Sequence, residues 1–207
     1  MNKVGAVLFA VVLAAAWGGA SPPAQARGTI LLLEGGGGIG VTDNSESVRF
    51  WQAAFGVGGK LRGFPPRFYF LVDYSGDVLD STLSSPAGVA DRTLIDHLLL
   101  FGPRLYLPLN PRIRIYFQGL LGAFWSQSDW LVNSVEPYQP DDRGMAAKFS
   151  AGLQFRPVRA LSIGVGVDRV VFWGREQDPA VAAMTGFGAD ADDADQTRFG
   201  GTIALHF

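Results

Sequence analysis

Leu161-Ser162-Ile163-Gly164-Val165-Gly166-Val167-Asp168 puts a large apolar side chain on every second residue and a small or charged one between. Successive side chains of an extended strand point to opposite faces, so a period of two describes a strand with one oily face and one sparse face. The same period returns in Ala147-Lys148-Phe149-Ser150-Ala151-Gly152-Leu153-Gln154-Phe155, in Arg112-Ile113-Arg114-Ile115-Tyr116-Phe117-Gln118 and in Trp51-Gln52-Ala53-Ala54-Phe55-Gly56-Val57. No stretch carries a comparable helical stripe, so the class is all-β.

Turn signals between the runs divide the chain into eight strands, at residues 28–40, 48–61, 67–78, 93–107, 112–125, 144–156, 160–172 and 196–207. The connections after Leu61, Leu107 and Arg156 are tight and carry proline; those after Gly40, Val78, Trp125 and Phe172 are longer and polar. Strict alternation of short and long connections is the mark of an up-and-down antiparallel barrel with two unlike ends. Strands of this length exceed the globular mean of about 5–6 residues and suit a tilted bilayer crossing. An even strand number puts both chain ends at the short-turn end, and the last strand must close on the first because lipid tolerates no open sheet edge.

A soluble barrel with an apolar inside would show the same period, so the composition of the opposite face decides the orientation. That face carries Glu34, Gly36, Gln52, Gly56, Asp73, Asp96, Arg104, Arg114, Gln118, Lys148, Gly152, Asp168, Arg198 and Thr202. Tiny residues mixed with charges of both signs suit a narrow lumen filled by side chains better than a water-facing surface. The expected arrangement is a transmembrane barrel with its bulky hydrocarbon side chains outward. Aromatic residues sort with it, Trp51, Trp125, Trp130 and Trp173 at the outer ends of strands and Phe68, Tyr69, Tyr106, Phe155 and Phe207 near the inner ends, as two interfacial belts would require. Acidic residues gather in the long connections and Lys60, Arg62, Arg67, Arg104, Arg112, Arg156 and Arg159 at the short turns, which predicts an acidic outer end and a basic inner one.

The chain begins with one positive charge at Lys3, an apolar stretch from Val4 to Trp17, a Gly/Ser/Pro break and Ala24-Gln25-Ala26. This is the pattern of a cleavable secretory signal, which sets residues 1–26 apart from a single barrel domain at 27–207. The apolar stretch falls short of the roughly 20 residues a spanning helix needs. The sequence contains no cysteine, which excludes a thiol nucleophile, a disulfide framework and a Cys-ligated metal.

With these features the chain resembles the eight-stranded outer-membrane barrels of Gram-negative bacteria, the OmpA-type and OmpX-like domains. The resemblance covers the whole of 27–207. It rests on the signal, the eight alternating strands and the terminal Thr202-Ile203-Ala204-Leu205-His206-Phe207, which is similar to the aromatic C-terminal strand by which that family is recognised for assembly, here through Ile203, Leu205 and Phe207. It implies a monomer without cofactor in the outer membrane, both termini periplasmic. The implied partners are outer-membrane lipid, lipopolysaccharide, the barrel assembly machinery and periplasmic chaperones, with no nucleic acid.

Chemistry is sparse. Some small barrels of this kind modify lipid A with a serine and a histidine, but only His97 and His206 exist. Asp96 and His97 are adjacent on a strand and point to opposite faces, so the aspartate cannot orient the histidine. Asp190, Asp192, Asp193 and Asp195 offer carboxylate oxygens for a hard cation, without the glycine and distal glutamate of an EF-hand loop. The Glu34-to-Gly40 glycine run lacks the Lys-Ser/Thr of a phosphate-binding loop and no helix follows it. The strongest expectation is a lumen network in which Glu34, Asp73, Asp96 and Asp168 pair with Arg104, Arg114, Lys148 and Arg198, because an unpaired buried charge is costly. A barrel plugged in this way has a structural or surface-interaction role; a lipid A modifying enzyme and a narrow passive pore are the alternatives, and a soluble carrier the rival if the bulky groups point inward.

Overall fold

The computed structural model describes residues 29–43, 45–60, 66–85, 88–132, 141–174 and 195–207. They form eight strands, β1 (Thr29–Thr42), β2 (Ser47–Lys60), β3 (Arg67–Ser85), β4 (Gly88–Pro108), β5 (Ile113–Val132), β6 (Asp141–Val158), β7 (Leu161–Trp173) and β8 (Gln196–His206). Each pairs antiparallel with the next, and β8 returns to β1 to close the barrel. Closure runs the length of both strands, from Leu32 opposite His206 to Thr42 opposite Gln196. The last residue extends it, since Phe207 N donates to Leu31 O at 3.0 Å and Leu31 N to Phe207 O at 3.1 Å. No backbone edge is left in the described wall, which is the condition for placing a sheet in hydrocarbon.

The strands differ from the sequence expectation at one end. β3 and β4 run on through residues 79–92, expected as a long loop, and leave only 86–87 between them; β5 and β6 likewise extend to Val132 and back to Asp141. The β1–β2 connection is only residues 43–46, held by Thr42 N to Glu46 O and Ser45 N to Thr42 O, both at 2.9 Å. Strict alternation of loop length is therefore not the pattern. What differs is strand overhang, present in the β3–β4 and β5–β6 hairpins and absent from the β1–β2 hairpin. The extra segments stand beyond the apolar zone, so they carry no oily face to betray their period; polar cross-strand bonds hold them instead, Thr82 Oγ1 to Asp91 Oδ1 at 2.8 Å and Thr93 Oγ1 to Asp80 Oδ1 at 3.2 Å.

Side-chain direction follows the period throughout. Leu31, Phe55, Phe70, Phe101, Phe117, Phe149, Val165 and Phe199, one from each strand, are exposed and outward, accompanied by Ile39, Val57, Val72, Leu99, Leu121, Leu153, Ile163 and Ile203. A soluble monomer rarely exposes a contiguous apolar patch beyond a few hundred Å². Here the patch encircles the wall.

The lumen is oilier than the sequence suggested. Leu32, Leu71, Leu98, Leu100, Leu120, Phe124 and Phe172 are buried inside with Tyr69, Tyr106 and Tyr116. The reason is volume. Inward glycines leave space that large side chains from neighbouring strands occupy: the Tyr116 ring, paired with Gly152 in the β5–β6 register, fills the places where Gly152 and Gly166 would carry a Cβ, and Phe50 fills the one at Gly200, where an added Cβ would stand 2.6 Å from its Cζ. Small residues beside large ones on neighbouring strands let eight strands enclose a solid core.

Candidate functional site: the charged lumen

Three ion pairs span the lumen in successive layers. Nearest the chain-terminus end, Arg104 donates from Nη1 and Nη2 to both carboxylate oxygens of Glu34, at 2.7 and 2.8 Å. Its Nε donates to Gln118 Oε1 at 2.7 Å and Nη1 also to the Tyr106 hydroxyl at 2.8 Å, while Gln154 Nε2 donates to Glu34 Oε2 at 3.2 Å. The guanidinium lies 4.9 Å from the centroid of Tyr116 and 5.7 Å from that of Tyr106. Every nitrogen of this arginine has an acceptor, and both acidic oxygens are occupied. That satisfies the condition under which a desolvated ion pair is tolerated.

In the middle layer Lys148 Nζ donates to Asp73 Oδ1 at 2.7 Å and to Gln52 Oε1 at 3.2 Å, with lysine and aspartate both fully buried. Above it Arg198 is paired with Asp77, donates from Nε to Gln196 Oε1 at 3.0 Å, and faces the Phe50 ring at 5.4 Å. Asp96 accepts from Ser126 Oγ on one oxygen and from Gln196 Nε2 at 3.4 Å on the other. Salt bridges and amides thus cross-link β1, β4, β5 and β6 in one layer, β2, β3 and β6 in the next, and β3, β4, β5 and β8 in the third.

Of the eight residues expected in the network, all lie on the lumen face and all are buried. The structure brings Glu34 to Arg104 and Asp73 to Lys148. It does not bring Arg198 to a predicted acid. Asp168 is its neighbour in the β7–β8 register, but the arginine reaches across to Asp77, a residue the sequence reading left out although it follows Asp73 at the strand period. Arg114 has no carboxylate partner among the described residues; it lies 5.9 Å from the Tyr106 ring centroid and its Nη1 is buried without a hydrogen bond.

The aromatic residues divide. Trp51, Trp125, Trp173, Phe68 and Phe155 are exposed on the exterior, whereas the Trp130 side chain lies outside the described residues. Tyr69, 2% exposed in the lumen, is a correction, and so is Tyr106: it is 1% exposed and belongs to the lumen. Position near a strand end did not decide its face; parity did, for it shares the inward register with Arg104. On the exterior Trp51, Tyr74, His97 and Trp125 make a continuous row across β2 to β5, with successive centroids 5.2, 6.1 and 5.6 Å apart. The Tyr74 hydroxyl shares a hydrogen bond with His97 Nδ1 at 3.1 Å. His97 thus faces outward and Asp96 inward.

At the rim opposite the chain terminus, where β1, β7 and β8 end, Arg169 donates from Nη1 and Nη2 to the two oxygens of Asp43 at 2.7 Å each and from Nη2 to Asp195 Oδ2 at 3.0 Å. The arginine holds the Asp43 carboxyl below the ordinary aspartate value. Asp195, one of the four acids considered for a cation, is therefore engaged by an arginine; Asp190, Asp192 and Asp193 lie outside the described residues. Among the described residues no cluster of three metal-ligating side chains occurs. Of the assembly residues, Ile203 and Phe207 are exposed on the outer face and Leu205 is half-buried there. His206 points into the lumen, with Nε2 2.7 Å from Ser162 Oγ.

No protein-family profile matches the chain, and no curated protein sequence does. Solved structures do. Ail, the attachment invasion locus protein of Yersinia pestis, in complex with the heparin analogue sucrose octasulfate, superposes with a TM-score of 0.50 at 13% identity, over 87% of this chain and 99% of that one. Neisserial surface protein A matches at 0.47 and 11% identity over 86% and 97%, and the outer membrane enzyme PagL at 0.43 and 11% over 82% and 97%. The fold is that of the eight-stranded outer-membrane β-barrels.

Proposed function

We propose that the chain is a monomeric barrel of the Gram-negative outer membrane with a structural or surface-interaction role, exported by a signal at residues 1–26 that is cleaved to leave a single domain at 27–207. The observation that carries this reading is inverted polarity: a ring of exposed hydrocarbon on all eight strands around a centre holding three desolvated ion pairs. Lipid is the solvent that rewards such an exterior. Both chain ends are assigned to the periplasm, and the β3–β4 and β5–β6 overhangs to the outside, where their acids meet lipopolysaccharide or a partner surface. Assembly uses the outward Ile203, Leu205 and Phe207, presented to the assembly machinery after chaperone escort.

The role is read as non-catalytic. His97 is hydrogen-bonded to a tyrosine on the outer face, and the serine beside His206 is fully buried. It is also read as non-porin, since the cross-linked layers fill the centre. Fractionation combined with heat-modifiable gel migration tests residence and closure together: a species that enters the outer-membrane fraction and runs faster unheated than boiled is expected. Recovery in the soluble fraction without detergent would sink the proposal, and bilayer conductance at porin level would sink its plugged lumen.

A further inference from the structure

At the end of the lumen where the chain terminates, below the Glu34–Arg104 pair, inward-facing cations collect without acids. Arg67 opens β3, Arg114 is the second residue of β5, Arg156 is the third from the end of β6, and His206 closes β8. Arg67, Arg114 and His206 share the inward parity of their strands, and Arg114 lies 5.9 Å from the Tyr106 ring, whose centroid is 5.4 Å from that of Tyr69. Among the described residues no carboxylate forms an ion pair with Arg67, Arg114 or Arg156, while Arg104, one layer deeper, already saturates Glu34. The adjoining turn at residues 61–65 contains neither aspartate nor glutamate, and the Phe207 carboxylate accepts from Leu31 N at 3.1 Å.

The second observation is a set of orphaned polar atoms around the same point. Arg114 is 6% exposed, yet its Nη1 is buried with no hydrogen-bond partner. Arg156 Nε, His206 Nδ1 and the Tyr69 hydroxyl are likewise buried and unpartnered. A buried donor left unmade costs the desolvation of that group, and a buried cation costs far more. Arg156 donates from Nη2 to the Arg159 carbonyl and keeps Nε unspent; with Arg114 Nη1, the imidazole and the phenol it offers the charge-assisted bonds that phosphoryl oxygens accept, and Arg67 adds a third positive charge. Among the described residues Arg67 and Arg156 are half-buried and reach solution, while Arg114 is buried and forms the floor.

We propose that this mouth is an anion site that takes a phosphoryl group, with Arg114 as its floor, Arg67 and Arg156 as its walls, and Tyr69 and His206 completing the cradle. A phosphoryl group reaches it either as free phosphate or as the headgroup of a phospholipid whose tails lie on the apolar exterior. The site does not depend on which side of the membrane this end occupies.

The test uses the protein purified from membranes in a maltoside detergent, which brings no anion of its own. Calorimetric titration with inorganic phosphate, and separately with short-chain phosphatidylglycerol, is made at constant ionic strength. Binding of at least one is expected; preference for phosphate assigns the free anion and preference for the lipid assigns the headgroup. Arg114→Gln weakens that binding by about tenfold or more, whereas Arg49→Gln, at the opposite rim, leaves it unchanged. Should Arg114→Gln fail to fold, the Arg67→Gln/Arg156→Gln double variant is the arbiter and must show the same loss. Absence of binding by either probe in the unmodified protein, or binding undiminished in these variants, overturns the proposal.

Discussion

Glu34 and Arg104 stand on β1 and β4, three strands apart around the wall, and yet two nitrogens of the arginine grip both oxygens of the glutamate at 2.7 and 2.8 Å. Each is 2% exposed in its side chain. This tie crosses the barrel rather than following its hydrogen-bonded neighbours, so it stabilises the closed cylinder and contributes nothing to any single hairpin. Glu34→Gln is expected to cost about 3–5 kcal/mol, because Arg104 is then a buried cation without its counter-charge. The Glu34→Leu/Arg104→Met pair is expected to recover most of that loss, and urea unfolding in lipid vesicles, followed by tryptophan fluorescence, reads both.

Tyr116 and Gly166 share one volume. A Cβ on Gly166 would collide with the Tyr116 hydroxyl, and with that oxygen gone the nearest atoms would be Ala151 O at 3.1 Å and the ring Cζ at 3.2 Å. Gly166→Ala is therefore expected to destabilise the native protein by about 1–3 kcal/mol, as overpacking does. In a Tyr116→Phe background the same substitution should cost measurably less. A double-mutant cycle on unfolding midpoints gives the coupling, and strict additivity would contradict the shared packing.

Gly38 and Gly35 lie on the same glycine run and differ in what surrounds them. A Cβ at Gly38 would stand 2.6 Å from Gly200 Cα, with the Phe199 carbonyl closer still, whereas at Gly35 the nearest atom is Gln52 O at 4.0 Å. Gly38→Ala must push β1 from β8 along the closing seam and should raise the fraction of chain that fails to show heat-modifiable migration. Gly35→Ala is expected to assemble normally. Equal behaviour of the two would mean the glycines are not there for close backbone approach.

Asp43 lies just beyond β1, and its carboxyl is held below the ordinary value of 3.8 first by its hydrogen bonds to Arg169. A depressed folded value means that the contact contributes fully above about pH 4 and is lost as pH falls through the lowered value. A carbon-13 titration of the Asp43 carboxyl is expected to give a midpoint below 3.8 that returns toward 3.8 in Arg169→Gln. The pair is exposed, so added salt should shrink the difference.

Much of this protein was readable residue by residue. The period of two in 161–168 and its repeats marks the strands, and the sparse face opposite the hydrocarbon one contains Glu34, Asp73, Arg104, Lys148 and Arg198, all of which the structure places inside. Where the outer face is also polar, as along 79–92, alternation loses its contrast, and strand reads as loop. Where the inner face is also apolar, as in Leu98-Leu99-Leu100-Phe101, the oily part of the core was overlooked.

The alternation of side chains thus settled by itself which residues face the lumen, because a pleated strand leaves each residue only two directions. Which cation meets which acid was decided by the closed barrel alone. Asp168 neighbours Arg198 in the sheet, yet Arg198 is bound to Asp77 on the far wall, and Glu34 finds Arg104 from β1 to β4. Those meetings depend on how far the strands are staggered when the cylinder closes, which sets the height of each side chain in the lumen. No single strand carries that information, since the stagger emerges only when all eight register shifts are summed around the ring.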